Sequence, residues 1–221
     1  MSTEAVALPR KTPLLQSRLG SFIAVVPLSL WTINHLWDNL AAFSGAQAWQ
    51  ASVTTYAHPF SMALGFIISL VPLLLHTGWG LVRLFSFRPN NLAYNNYANF
   101  KYILQRITAL GALGFIGAHV WKAFLAPRLF NGAPEAFDDI AREMRFHGPT
   151  LVVYLLGTLG TVFHLANGLQ GFGMAWGIFA SDRAMRRFEP FVILIFLVLL
   201  AMAWGSIFAL YQAGEALGPR T

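Results

Sequence analysis

Residues 107–125 read ITALGALGFIGAHVWKAFL, from Ile107 to Leu125, and this stretch combines an apolar span, a ladder of small residues and one histidine. Gly111, Gly114 and Ala118 recur at helical spacing, so they share one face and leave a shallow trough along it. His119 sits beside the end of that trough. Such a trough admits either another helix at close range or a flat ligand whose centre a neighbouring imidazole can reach. The second use needs a partner histidine, and the chain offers His35, His76 and His164 at similar intervals.

The 221 residues are 56% hydrophobic and only 11% charged, which is too apolar for an ordinary soluble domain. Residues 19–37, 59–82, 146–181 and 190–214 contain no Asp, Glu, Lys or Arg, and each reaches the ~20 residues needed to cross a bilayer. A fifth span near 102–125 holds Arg106 and Lys122 close to its ends, where long side chains snorkel to the headgroups. The expected fold is therefore an all-α membrane protein, one domain over residues 1–221, with helices at roughly 17–43, 59–86, 102–125, 149–180 and 188–213. The first apolar segment is too long for a signal peptide and no small-residue cleavage pattern follows it, so it reads as a retained helix.

Cysteine is absent. Thiolate-bound iron–sulfur clusters, covalent haem attachment and disulfides are thereby excluded from this chain, and histidine is left as its metal ligand. The net charge of +6 does not point to nucleic acid, because the basic residues punctuate the spans instead of forming a continuous face. Ten of the 15 Lys and Arg residues fall before the first span, between the second and third, or between the fourth and fifth. By the positive-inside rule the N-terminus is cytoplasmic, and the expected location is the cell's inner, cytoplasmic membrane. Trp31 and Trp37 mark the outer end of the first helix. Pro72 is expected to bend the second helix one turn before His76. The segment PEAFDDIAREMRF, 134–146, is expected to make one or two amphipathic turns on the outer surface, at best a lid. The histidine-free fifth helix is expected to seal the bundle against lipid.

Each of the first four spans carries one histidine. Depth decides how they pair. His35 lies ~25 Å along the first helix from its inner start, and His119 is likewise near the outer end of the third. His76 and His164 lie about 24 and 22 Å from the outer starts of the second and fourth, which puts them nearer the inner leaflet. Two imidazoles at one level supply the axial nitrogens of a six-coordinate haem, so two levels imply two stacked haems, with His35 and His119 on the outer iron and His76 and His164 on the inner. Without cysteine they are b-type. A six-coordinate iron has no open position for substrate, so the array suits electron transfer. For the propionates, helical spacing offers Arg83, Gln105, Arg106, Ser17 and Arg18 around the inner haem and Lys122 near the outer one. His58 and His147 sit at outer helix ends, where an imidazole is commonly interfacial.

The stretches QSRLGS before the first helix, HLWDN around His35, HTGWGLVRL around His76, LQRITAL ahead of His119 and FHLANGLQGFGMAWGI around His164 together resemble the diheme cytochrome b membrane anchor of succinate dehydrogenases and fumarate reductases, the succinate:quinone oxidoreductases in which one polypeptide carries two haems. The resemblance covers nearly the whole chain. It implies two b haems held by the four matching histidines, a flavoprotein subunit that oxidises succinate, and an iron–sulfur subunit docked on the cytoplasmic face. It also implies a quinone, commonly menaquinone, near the outer haem, and the whole complex could form an oligomer. Asp38, one turn outward of His35, and His58 are the candidates for proton handling there. A stand-alone transmembrane diheme cytochrome b serving a hydrogenase, a formate dehydrogenase or ascorbate would use the same haem physics, and copurifying partners distinguish the two. A haem-free helix-bundle transporter or assembly protein would instead purify without pigment.

Overall fold

A computed structural model describes residues 14–55, 59–85 and 96–219; of these, the side chains of residues 14–17, Ala24 and Pro59 are not described. Helix α1 covers Leu14–Asn39 and α2 covers Pro59–Leu84. Helix α3 covers Tyr97–Val120 and runs on through a π-helical turn, Trp121–Leu125, into a last stretch, Ala126–Asn131. An outer helix α4, Phe137–Phe146, precedes α5, Gly148–Ala175, and α6, Asp182–Leu217. No strand occurs among the described residues. Five helical stretches are long and apolar enough to cross a membrane: Arg18–Ser44, Phe60–Leu84, Tyr97–Asn131, Gly148–Ala175 and Asp182–Leu217.

Local chemistry explains where the helices begin. The Asn96 side chain accepts from the Asn99 amide, and the Ser181 hydroxyl from the Ala184 amide, each capping a first turn whose N–H groups have no helical partner. The His147 ring does the same for Thr150. Helix α3 ends at Gly132, whose φ of 65° is the left-handed stop that glycine adopts without a Cβ penalty. Because Ser181 caps α6 so early, Arg183, Arg186 and Arg187 belong to its first turns, not to a connection. The helix continues through Pro190, which has no amide hydrogen to donate and crowds the carbonyl one turn before it.

The largest departure from expectation is α4. It is a ten-residue helix, and its apolar face, Phe137, Ile140, Ala141 and Met144, is buried at the spacing of an amphipathic helix. Ala141 and Met144 are 0% exposed. The segment is therefore no lid: with Ala42 and Trp49 from the outer turns after α1 and Ile207, Ala209 and Leu210 from α6, it forms the best-packed core of the molecule. Helix α6 likewise does more than face lipid, since Leu199, Ala203, Ser206 and Ile207 are buried. Packing there is close because Gly214 has no side chain. A Cβ at that position would run into the backbone of Ala141 and the Cβ of Arg145.

The other helices associate in a definite pattern. Helix α1 packs on α2 and α5, α3 packs on α5, and α5 packs on α6. Between α1 and α3, and between α2 and α5, the backbones make at most a marginal approach. These two pairs are joined through side chains.

Gly214→Val is expected to destabilise the protein by about 1–3 kcal/mol, the usual range for overpacking a filled site. Gly65→Ala, where no atom stands within 4 Å of the added carbon, is expected to be neutral or slightly stabilising. Thermal unfolding in detergent separates the two, and equal effects would contradict the packing assigned to α4 and α6.

Candidate functional site: two imidazole pairs between the helices

The four span histidines meet two by two, across the helix pairs whose backbones stay apart. The rings of His35 on α1 and His119 on α3 lie 5.8 Å apart, centre to centre, and are inclined by 67°. Those of His76 on α2 and His164 on α5 lie 6.1 Å apart, inclined by 54°. Metal–imidazole bonds are roughly 2 Å long, so two rings gripping one ion from opposite sides stand roughly 6 Å apart. The donor set also limits what is held. Among the described residues no three His, Asp or Glu side chains cluster closely enough to bind a bare metal ion. A pair of imidazoles leaves an octahedral ion four ligands short, and the four in-plane nitrogens of a porphyrin supply that number.

Hydrogen bonds orient two of the rings, and one of them sets a tautomer. His164 Nδ1 donates to the backbone carbonyl of Gln105 at 3.2 Å, and His119 Nδ1 lies 3.1 Å from the Tyr154 hydroxyl. In both rings the Nδ1 contact leaves Nε2 free to ligate, the second-shell arrangement usual for a metal-bound imidazole. His35 stacks on Trp31 one turn earlier, at 4.8 Å and nearly parallel. His76 Nδ1 is buried without a hydrogen-bond partner. Such a nitrogen is expensive to leave unmade and marks a place built for something further. The glycine trough is open as well, with no atom within 4 Å of where a Cβ would stand on Gly111, Gly114 or Gly117. Gly157, by contrast, is filled by the ring of Phe115, which lets α3 and α5 close behind the histidines. Together these features fit a flat macrocycle at each level.

The other candidate residues fall in varied places. The Gln105 side chain donates to the His164 carbonyl and accepts from Asn167, so it ties α3 to α5 beside the inner pair. Arg83 lies over the Trp79 ring and Arg106 over Tyr102. Arg18 donates to the Ala175 carbonyl at the end of α5. Lys122 forms an ion pair with Glu143, at 2.7 Å. The Asp38 carboxylate accepts from Asn34. The Ser17 side chain and all of His58 lie outside the described residues.

Two polar clusters escape a reading of the sequence. At the inner end Glu189 accepts from Tyr97, Gln170 and Lys101, the last at 2.5 Å, which joins α3, α5 and α6. At the outer end Glu143 accepts from Thr150, one turn before Tyr154, while Glu135 lines a small pocket with Lys122 and Asp139. Burial works to raise the Glu143 pKa, but the bonds from Lys122 and Thr150 and the nearby His147 outweigh it and hold the carboxyl low. Glu135 is only 8% exposed. Burial pushes its pKa up to about 7, with Asp139 and Glu143 adding to the rise and Lys122 and Arg128 opposing it. The hint in the sequence was four acids in a connection that also held four bases.

A family described as "Succinate dehydrogenase/Fumarate reductase transmembrane subunit" matches residues 86–204. The chain is 33% identical over 198 residues to the succinate dehydrogenase cytochrome b558 subunit of Bacillus subtilis, across 87% of this chain and 94% of that one. No solved structure matches the chain.

Because the Glu135 pKa is higher folded than unfolded, the unfolded chain loses its proton first. Stability is then fully present below about pH 4.5 and falls as pH rises to about 7, by at most about 3 kcal/mol. Glu135→Gln is expected to flatten that fall in thermal unfolding between pH 5 and 8, and an unchanged slope would assign it elsewhere. Glu143 acts in the opposite sense: its contribution is present above the ordinary glutamate range and is lost on acidification.

Proposed function

We infer the function of this chain from the family to which it belongs, the transmembrane subunits of succinate dehydrogenase and fumarate reductase. It is an integral-membrane cytochrome b subunit of a succinate:quinone oxidoreductase. Succinate chemistry belongs to other subunits. In our reading the chain anchors a flavoprotein and an iron–sulfur subunit on its cytoplasmic side, where its N-terminus also lies, in the cell's inner membrane. It conducts electrons between them and a quinone, which we assign as menaquinone near the outer histidine pair.

The observation that carries this reading is the meeting of the four imidazoles two by two across helices that otherwise stay apart. His35 and His119 would hold one b haem, and His76 and His164 a second. A haem held there would supply one-electron transfer. The chain does the rest. The Gln105 carbonyl, an acceptor only, fixes the proton of His164 on Nδ1, Tyr154 holds the His119 ring through the same nitrogen, and Nε2 would be the ligating atom in each. Trp31 and Phe115, stacked on His35 and His119, keep the outer pair from water. Arg83 and Arg106 would lie near the inner propionates, together with Ser17, whereas Arg18 is held at the Ala175 carbonyl and Trp176. Lys122, engaged by Glu143, is better placed to hold the outer cap than a propionate. Asp38 and His58 remain our choices for exchanging protons with the quinone.

His35→Ala and His119→Ala are expected each to remove the same half of the reduced α-band, and His76→Ala and His164→Ala the other half. Loss of one common component from His35→Ala and His76→Ala would overturn the pairing. With His119 bound through Nε2, its Nδ1 would donate to Tyr154; Tyr154→Phe removes that bond and leaves the ring less basic, and a less basic ligand favours reduced iron. A redox titration should show the outer potential raised and the inner one unmoved.

A further inference from the structure

At the arginine-rich end of the bundle an apolar groove of about 660 Å³ opens between α1, α5 and α6. Its walls include Val25 and Ser29 of α1, Leu169 and Phe172 of α5, and Phe191 and Val198 of α6. Along α6 it runs from Phe188 to Met202, about 21 Å at the helical rise, against the ~15 Å of hydrocarbon in one leaflet. Its volume is that of a pocket for one ligand of moderate size. The proposed electron path makes no use of it.

The mouth of the groove is charged in register with its walls. Arg18 lies two turns before Val25 on α1, and Arg187 and Arg183 lie one and two turns before Phe191 on α6, so each sits below a lining residue. Arg18 is fixed there: its Nε donates to the Ala175 carbonyl at 3.3 Å, and its guanidinium stands 5.8 Å from the centre of the Trp176 ring. All three arginines are exposed, and none has an ion pair among the described residues. Of the acids on α6 at this end, Glu189 is taken by Lys101 and Asp182 occupies the first turn. Three guanidiniums without an ion pair among the described residues, set over an apolar slot, match a phosphate joined to an acyl chain. A second copy of the chain is a poorer fit, because a two-fold axis through this face would set one arginine group against the other.

We propose that this groove seats one anionic phospholipid from the leaflet on the arginine-rich side, its acyl chain lying along α6 between Phe188 and Met202 and its phosphate held by Arg18, Arg183 and Arg187. Neither the iron ligands nor the quinone enters this assignment, so it stands or falls apart from them.

Trp176 at the mouth provides the readout. In the detergent-purified complex, its fluorescence is the difference between wild type and Trp176→Phe. Brominated phosphatidylglycerol is expected to quench that signal saturably, with at least ten-fold higher affinity than brominated phosphatidylcholine, and added salt should narrow the gap. The double variant Arg183→Gln/Arg187→Gln should erase the preference while leaving the visible spectrum unchanged. Ser29→Phe, which fills the slot, should weaken quenching by both lipids. Equal affinity for the two headgroups in the wild type, a preference that survives the double variant, or a change of oligomeric state in place of the lipid effect would overturn the proposal.

Discussion

An imidazole at bilayer depth has no water to satisfy it, and that constraint orders the rest of this molecule. Four such rings are carried on four helices. Each can be satisfied only by a neighbour, by the backbone of a neighbouring helix, or by something bound between them. The structure uses the first two for His119 and His164, through Tyr154 and the Gln105 carbonyl, and stacks His35 on Trp31. His76 keeps one nitrogen unpartnered. The rings thus face one another in pairs across helices that barely approach, and a filled interior would have been incompatible with that arrangement.

A bundle whose histidine-bearing pairs do not pack backbone to backbone is tied together elsewhere. On the outer side the tie is apolar: α4 lays Phe137, Ile140, Ala141 and Met144 against α6, and Gly214 allows the backbones to meet. On the inner side it is electrostatic: Glu189 gathers Lys101, Gln170 and Tyr97 from two neighbouring helices. Removing one member of such a partly buried pair would leave the other charge without its partner, so the tie depends on both. Arg18, Arg183 and Arg187 at the same end lie outside this tie, with no ion pair among the described residues.

Much of this was legible from residue order. Long uncharged stretches can only be spans, because an ionised side chain at mid-bilayer costs several kcal/mol. The positions of the histidines along those spans set their depth, since the helical rise is constant. Helix ends were less legible. The Ser181 cap and the passage through Pro190 brought Arg183, Arg186 and Arg187 into α6, although by sequence they read as a loop. The outer segment 134–146 was misjudged for a similar reason: its polar face dominates its composition, and whether the narrow apolar face meets lipid, water or protein depends on what stands opposite.

Residue order by itself therefore determined the class of the protein, the number of its spans, the depth of each histidine and the absence of any thiolate ligand, because all of these follow from local properties of the chain. Tertiary structure decided which rings face each other and at what distance, that Gln105 serves α5 through His164 and Asn167, that Lys122 turns to Glu143, and that a ten-residue helix becomes the core. Those depend on which faces of distant helices meet, and such meetings are settled by packing and pairing between residues far apart in the chain.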